Sequence, residues 1–145
     1  MGITRVQKRE AQLKLHLFHE ISLYGKTLEV TSIQDVRKPG TPDFTLSGHG
    51  KTHWWELKHG TPNFTTYELQ EIKCCRLART SFCRYLIYVD EPGKRYALVL
   101  HPQLVFEKGG KLADIDVSQA DYRVDDHNHG LLAHYMRTLL HEHID

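Results

Sequence analysis

Residues Thr41 to Gly60, TPDFTLSGHGKTHWWELKHG, carry the reading of the fold. Phe44 and Leu46 alternate with Asp43, Thr45 and Ser47. Beyond Gly48-His49-Gly50-Lys51, Trp55 and Leu57 alternate with Trp54, Glu56 and Lys58. Period two puts each apolar set on one face of a strand and each mainly polar set on the other. Gly50 tolerates the positive φ that a tight hairpin turn requires. With His49 and Gly50 as the central turn residues, Asp43 falls directly opposite Glu56, where Cβ atoms are about 4.5–5.5 Å apart. Lys58 follows on the same face, so two carboxylates and a lysine are expected on one patch of a hairpin.

Carboxylates this close disfavour joint ionisation, so they are expected to share a proton or a cation. A hard divalent ion suits oxygen ligands, and Mg²⁺ needs only one or two carboxylates beside water and substrate phosphate. Lys58 is then placed to hold an attacking water or the charge developing on a phosphate. The alternative is a solvated hairpin face with an ordinary Asp, Glu and Lys.

Pro42-Asp43 followed by Glu56-Leu57-Lys58 resembles the signature of the PD-(D/E)XK nuclease superfamily. The lead-in Gly40-Thr41-Pro42-Asp43-Phe44, and a glutamine in the helix after the lysine (Gln70), are similar to the VRR-NUC branch, with its likeness to Holliday-junction resolvases. The resemblance covers about Glu10 to Tyr88. It implies an α/β restriction-endonuclease-like αβββαβ core, a mixed central sheet flanked by helices. It implies Mg²⁺ or Mn²⁺ held by Asp43, Glu56, the Leu57 backbone carbonyl and an acidic residue of the first helix, with Lys58 activating water and Gln70 supporting the site. The implied activity is hydrolysis of DNA phosphodiester bonds by a small homodimer acting on branched or junction DNA. Two other readings stand beside it: a sequence-specific restriction enzyme, for which 145 residues leave little room for base-reading segments, and a DNA-binding module without catalysis.

Upstream, Ile3 to Tyr24 predicts an amphipathic helix with Ile3, Val6, Leu13, Leu17, Ile21 and Tyr24 along one stripe. Glu10 occupies the beat the stripe misses, near its centre, whereas Glu20 lies at its edge. An ionised carboxylate facing a core is costly unless paired or metal-bound, so Glu10 is favoured over Glu20 as the first-helix acid. The alternative is fraying that leaves Glu10 exposed, where a carboxylate suits the helix dipole. Gly25 is a stop signal. Thr27 to Val36 predicts a strand with a bulge before Ile33 to restore its alternation. Arg37-Lys38-Pro39-Gly40 is a basic turn that either contacts phosphate or is solvated.

Downstream, Thr65 and Glu68 have capping-box spacing, predicting a helix from about Thr66 to Thr80. Gln70, Cys74 and Leu77 share its inner face, where Gln70 either lines the site or is simply a buried, satisfied glutamine. Lys73, Arg76 and Arg79 lie elsewhere on the surface, with Lys73 and Arg76 either contacting phosphate beside Arg37 and Lys38 or solvated. Arg84–Val89 and Tyr96–Leu100 predict strands around a turn at Glu91-Pro92-Gly93-Lys94. Leu104 to Phe106 is a short strand or helix, 114–128 a loop, and Leu131–Leu140 a C-terminal helix packing through Leu132, Tyr135, Met136 and Leu139. His127-x-His129 and His141-x-His143 could bind a transition metal, but exposed histidines are the simpler expectation.

At 145 residues the chain fits one nuclease domain, 1–145, with a core over about 3–100 and an extension over about 101–145. No apolar run approaches the roughly 18–20 residues of a membrane span. The N-terminus turns polar too quickly for a secretory signal, and Val6 misses the myristoylation pattern. A cytoplasmic location is expected, without a membrane partner. Cys74, Cys75 and Cys83 do not form a disulfide framework and suit reduced thiols. The net charge is +1, but 1–100 hold 15 Lys and Arg against 10 Asp and Glu, and 101–145 hold 4 against 8. Polyanion binding therefore belongs to the first two-thirds.

Overall fold

The structure, a computed structural model, describes residues 5–33, 40–62, 65, 66 and 68–142, without the side chains of residues 6 and 7. Ile3, the Val6 side chain, Val36, Arg37, Lys38 and His143 lie outside the described residues.

A six-stranded mixed sheet forms the centre, its strands in sequence order: β1 (Glu29–Ser32), β2 (Phe44–Gly48), β3 (Lys51–Gly60), β4 (Cys83–Glu91), β5 (Lys94–Leu100) and β6 (Tyr122–Asp125). All neighbours are antiparallel except β3 and β4. A parallel pair needs a crossover connection, and α2 (Glu68–Thr80) supplies it. The remaining helices are α1 (Arg5–Ser22), α3 (Pro102–Glu107) and α4 (His129–His141).

The sheet is buried on both faces. Leu13, Leu17 and Ile21 of α1, and Leu132, Met136 and Leu140 of α4, pack on Phe44, Leu46, Trp55, Leu57 and Tyr88. On the other face Cys74 of α2 and Val105 of α3 meet Cys83, Tyr85, Ile87, Leu98 and Leu100. Burying one such Leu contributes about 1.5–3 kcal/mol, which explains why the α1 stripe holds its register. Tyr135 and Leu139 pack at the edge of the first cluster.

The hairpin turns as expected. Gly48 pairs with Lys51, and His49 and Gly50 have φ of 52° and 76°, the positive pair that a two-residue turn matching strand twist demands. The first strand differs from its reading. Its pairing with β2 runs unbroken from Glu29 to Ser32, and Ile33 N–H still donates to Asp43 O at 2.8 Å in the same register. There is no bulge, because Ile33 simply faces the other side of the sheet.

The helix after β3 also starts later than its capping-box spacing implied. Thr65 bridges Lys111, and the Thr66 hydroxyl donates to Glu71 Oε2 at 2.7 Å. Leu104–Phe106 proves helical, within α3. The predicted loop over 114–128 contains β6, which pairs with β5 from Tyr96↔Asp125 to Val99↔Tyr122. Four residues are too short for period two to register; β6 is held instead by Val124 in the core and Tyr122 stacked on Tyr135 at 4.1 Å. Among the described residues, no helix is long and apolar enough to cross a membrane, and Cys74, Cys75 and Cys83 are buried and unbridged.

Candidate active site

Strand β3 outruns its partner. β2 begins at Phe44, opposite Trp55, while β3 continues to Gly60. Gly48 and Lys51 flank a two-residue turn and form a hydrogen-bonded pair, so every second residue from Lys51 aims its main-chain groups at β2. Leu57 and His59 belong to that set and lie where β2 is no longer present. Carboxylates take its place. Leu57 N–H donates to Asp43 Oδ2 at 2.9 Å, and His59 N–H donates to Glu10 Oε1 at 3.3 Å. The same alternation directs the Leu57 carbonyl to this edge.

Extending the register one step beyond Phe44↔Trp55 sets Asp43 opposite Glu56. Glu56 is 1% exposed, and neither of its carboxyl oxygens has a well-directed hydrogen bond. Lys58 Nζ stands 3.2 Å from Glu56 Oε2, and Lys14 Nζ stands 3.8 Å from Asp43 Oδ1. Burial pushes the Glu56 carboxyl well above the usual carboxylate range, and the adjoining Asp43 pushes further, with Lys58 opposing both. Burial likewise raises Glu10, against Lys58 and the His59 hydrogen bond. For Lys58, burial favours the neutral amine, but Glu56, Glu10 and Asp43 outweigh it and hold the ammonium above its ordinary value.

Glu10, Asp43, Glu56 and Lys58 are thus brought together from α1, the lead-in to β2, and β3. Glu10 reaches the site because it lies one helical turn before Leu13, which is fixed in the core. Glu20 is elsewhere: a carboxylate oxygen lies 3.7 Å from where a side chain on Gly130 would begin, beside the first turn of α4. Gln70 is buried on the inner face of α2, its Oε1 without a hydrogen-bond partner. Cys74, one turn further along α2, is buried against Cys83 and Tyr85 of β4. Gly40 closes the arrangement. It has φ +89°, and a Cβ there would meet Leu69 O at 2.8 Å, so the chain entering Asp43 lies tight against α2. Lys73 is half-buried on α2 and Arg76 exposed.

Two features escaped the sequence reading. Lys14 pairs with Asp43; the signal was its position four residues after Glu10, on the same helix face. The second is a network around Asp90. Its Oδ2 lies 2.5 Å from His59 Nε2, and its Oδ1 has Arg95 Nε at 3.1 Å and His127 Nε2 at 3.6 Å. The expectation of exposed terminal histidines holds for His134 but is corrected for His127 and His129. His127 is 5% exposed with Nε2 on Val89 O at 3.0 Å, and half-buried His129 meets the Tyr88 hydroxyl at 3.0 Å. The two rings hydrogen-bond to different atoms, yet both pack on the Tyr88 ring, at 5.0 and 5.4 Å between centroids.

Among the described residues, no group of three or more His, Cys, Asp or Glu gathers closely enough to hold a metal ion by itself. Mg²⁺ requires fewer protein ligands, usually one or two carboxylates with waters and phosphate completing the shell. The all-oxygen donor set and the unsatisfied buried Glu56 fit that demand. The sequence matches no protein-family model and no characterised protein at a significant level.

Proposed function

We propose that this chain is a metal-dependent endonuclease of the PD-(D/E)XK kind, hydrolysing DNA phosphodiester bonds. The observation that carries this reading is the Glu56 carboxylate, 1% exposed and without a directed hydrogen bond, opposite Asp43 and beside Lys58. A buried acid left in this state is costly to folding unless it holds a proton or a cation, and a divalent ion would supply the second. The element order from α1 through β3, α2 and β4 is compatible with the restriction-endonuclease-like core that the sequence motif implies.

Asp43 Oδ1, Glu56 and the Leu57 carbonyl would hold Mg²⁺ or Mn²⁺, with Glu10 bound directly or through water. When bound, the ion supplies a Lewis acid that stabilises phosphoryl charge and makes water a better nucleophile. Lys58 is kept as an ammonium by its three acidic neighbours, so it donates hydrogen bonds to water or phosphate. Gln70 closes the α2 side. Arg37, Lys38, Lys73 and Arg76 are the proposed outer phosphate contacts. Recognition is read as resting on shape and phosphates, so branched DNA is the favoured substrate and a cytoplasmic homodimer the favoured form.

Cleavage of labelled linear duplex, single strand, flap and four-way junction tests this, each with EDTA, Mg²⁺ or Mn²⁺. Metal-dependent cutting of branched over linear DNA, weakening steeply as salt rises, is expected. Cutting at one short sequence in every linear substrate replaces the structural preference with restriction activity. Tight DNA binding without cleavage in any metal ion leaves a binding module.

A further inference from the structure

The three acids of the site are faced by two lysines that differ in their freedom. Lys58 is 15% exposed, held on a strand and 3.2 Å from a carboxylate that is itself buried. Lys14 is 26% exposed, on a helix, and 3.8 Å from Asp43 Oδ1, beyond hydrogen-bonding distance. Asp43 has given Oδ2 to the strand edge, so Oδ1 is the oxygen a cation would take. A divalent ion there repels the ammonium beside it, and the flexible four-carbon stem of Lys14 allows it to leave. With Glu10, Asp43 and Glu56 all ionised, as a bound cation would require, three carboxylates with two ammoniums sum to one negative charge. Adding a divalent ion makes the sum positive, which attracts a phosphodiester.

We propose that Lys14 is a substrate-positioning residue, standing in for the cation at Asp43 in the free protein and moving to a backbone phosphate of the nucleic acid when a divalent ion binds. This deepens the nuclease reading and rests on it. The substrate class is a polyanionic strand with a phosphate within one lysine length of Asp43.

The inference predicts opposite effects of one substitution on two ligands. Lys14→Gln removes the competitor at Asp43, so Mn²⁺ alone, titrated by calorimetry or electron paramagnetic resonance, binds severalfold more tightly. The same variant binds a junction DNA more weakly in Ca²⁺, and the slope of log affinity against log salt falls by about 0.9, the share of one phosphate contact on duplex DNA. Lys14→Arg keeps the charge and restores DNA binding. A residue that merely supports the fold would weaken both ligands together. If wild type binds Mn²⁺ and DNA but Lys14→Gln leaves either affinity unchanged, the hand-over is wrong while the nuclease reading stands. If wild type binds neither, both fall.

Discussion

Glu56 and Asp90 are carboxylates on neighbouring strands with opposite surroundings. Asp90, 31% exposed, has His59 on one oxygen and Arg95 and His127 at the other. Burial works against its ionisation, yet the His59 hydrogen bond and the charges of His127, His59 and Arg95 prevail and hold it below the usual range. Glu56 is almost fully enclosed, has another acid opposite and one lysine near, and is pushed upward. Asp90 Oδ1, like both Glu56 oxygens, lacks a directed hydrogen bond, so the two acids differ in how far nearby cations outweigh burial. Burying a charge without adequate partners is destabilising, and such unrelieved groups cluster at functional sites. The comparison separates a carboxylate whose charged partners outweigh burial from one whose burial outweighs its single lysine.

The strongest way to break that contrast is to neutralise each acid in turn. Glu56→Gln and Asp43→Asn should each reduce cleavage by about a hundredfold or more, the scale of losing a major charge-stabilising group. Both should unfold at higher urea than wild type without metal, because repulsion is relieved. Asp90→Asn should do the reverse, keeping cleavage near wild type while losing about 1–2 kcal/mol, the lower part of the range for hydrogen bonds to charged groups in view of its exposure. Cleavage rates and urea titrations on the three proteins read both quantities. A Glu56→Gln protein with unchanged activity removes the proposed metal site.

The next test concerns how an acid enters the site. Glu10 bonds His59 N–H, whereas Glu20 lies by the first turn of α4. Glu10→Gln should therefore lose more activity than Glu20→Gln and raise the Mg²⁺ concentration for half-maximal rate. Glu20→Gln should mainly weaken the helix-dipole contact, typically by about 0.3–1 kcal/mol. The opposite ranking in metal-titrated rates would transfer the role to Glu20.

The carboxylate site was legible because its determinants are local. Turn residues His49 and Gly50 fix the hairpin register, register sets Asp43 opposite Glu56, and helical period puts Glu10 in line with Leu13. The Asp90 network was not legible because it joins β3, β4, β5 and the chain after β6, and β6 itself has only Val124 fully in the core. Spacing likewise paired His127 with His129, but it could not show that both rings pack on Tyr88 of β4. Lys14 lay between these cases: its helix face was readable, but its partner depended on how α1 docks beside the lead-in to β2.

The smallest expected effect sharpens the same contrast through pH. Burial, with His16, His127 and Arg9 nearby, lowers His129 from 6.5 to about 4. Between those values the unfolded chain binds more protons than the folded one, so His129 makes stability fall as pH falls from 6.5 toward 4. Glu56 has the opposite sign. Its folded pKa is raised above the ordinary 4.5, so above 4.5 and up to that raised value the folded protein holds the extra proton, and acidification strengthens it. In metal-free wild type these slopes oppose each other in mildly acidic solution. His129→Gln should flatten the acid loss, by less than about 1.4 kcal/mol per pH unit since the ring is only half-buried. Glu56→Gln should steepen it. Urea unfolding of the three proteins at several pH values from 4.5 to 7 measures the slopes. Parallel curves for wild type and Glu56→Gln would mean that Glu56 is as well compensated as Asp90, and the distinction between the two acids would be lost.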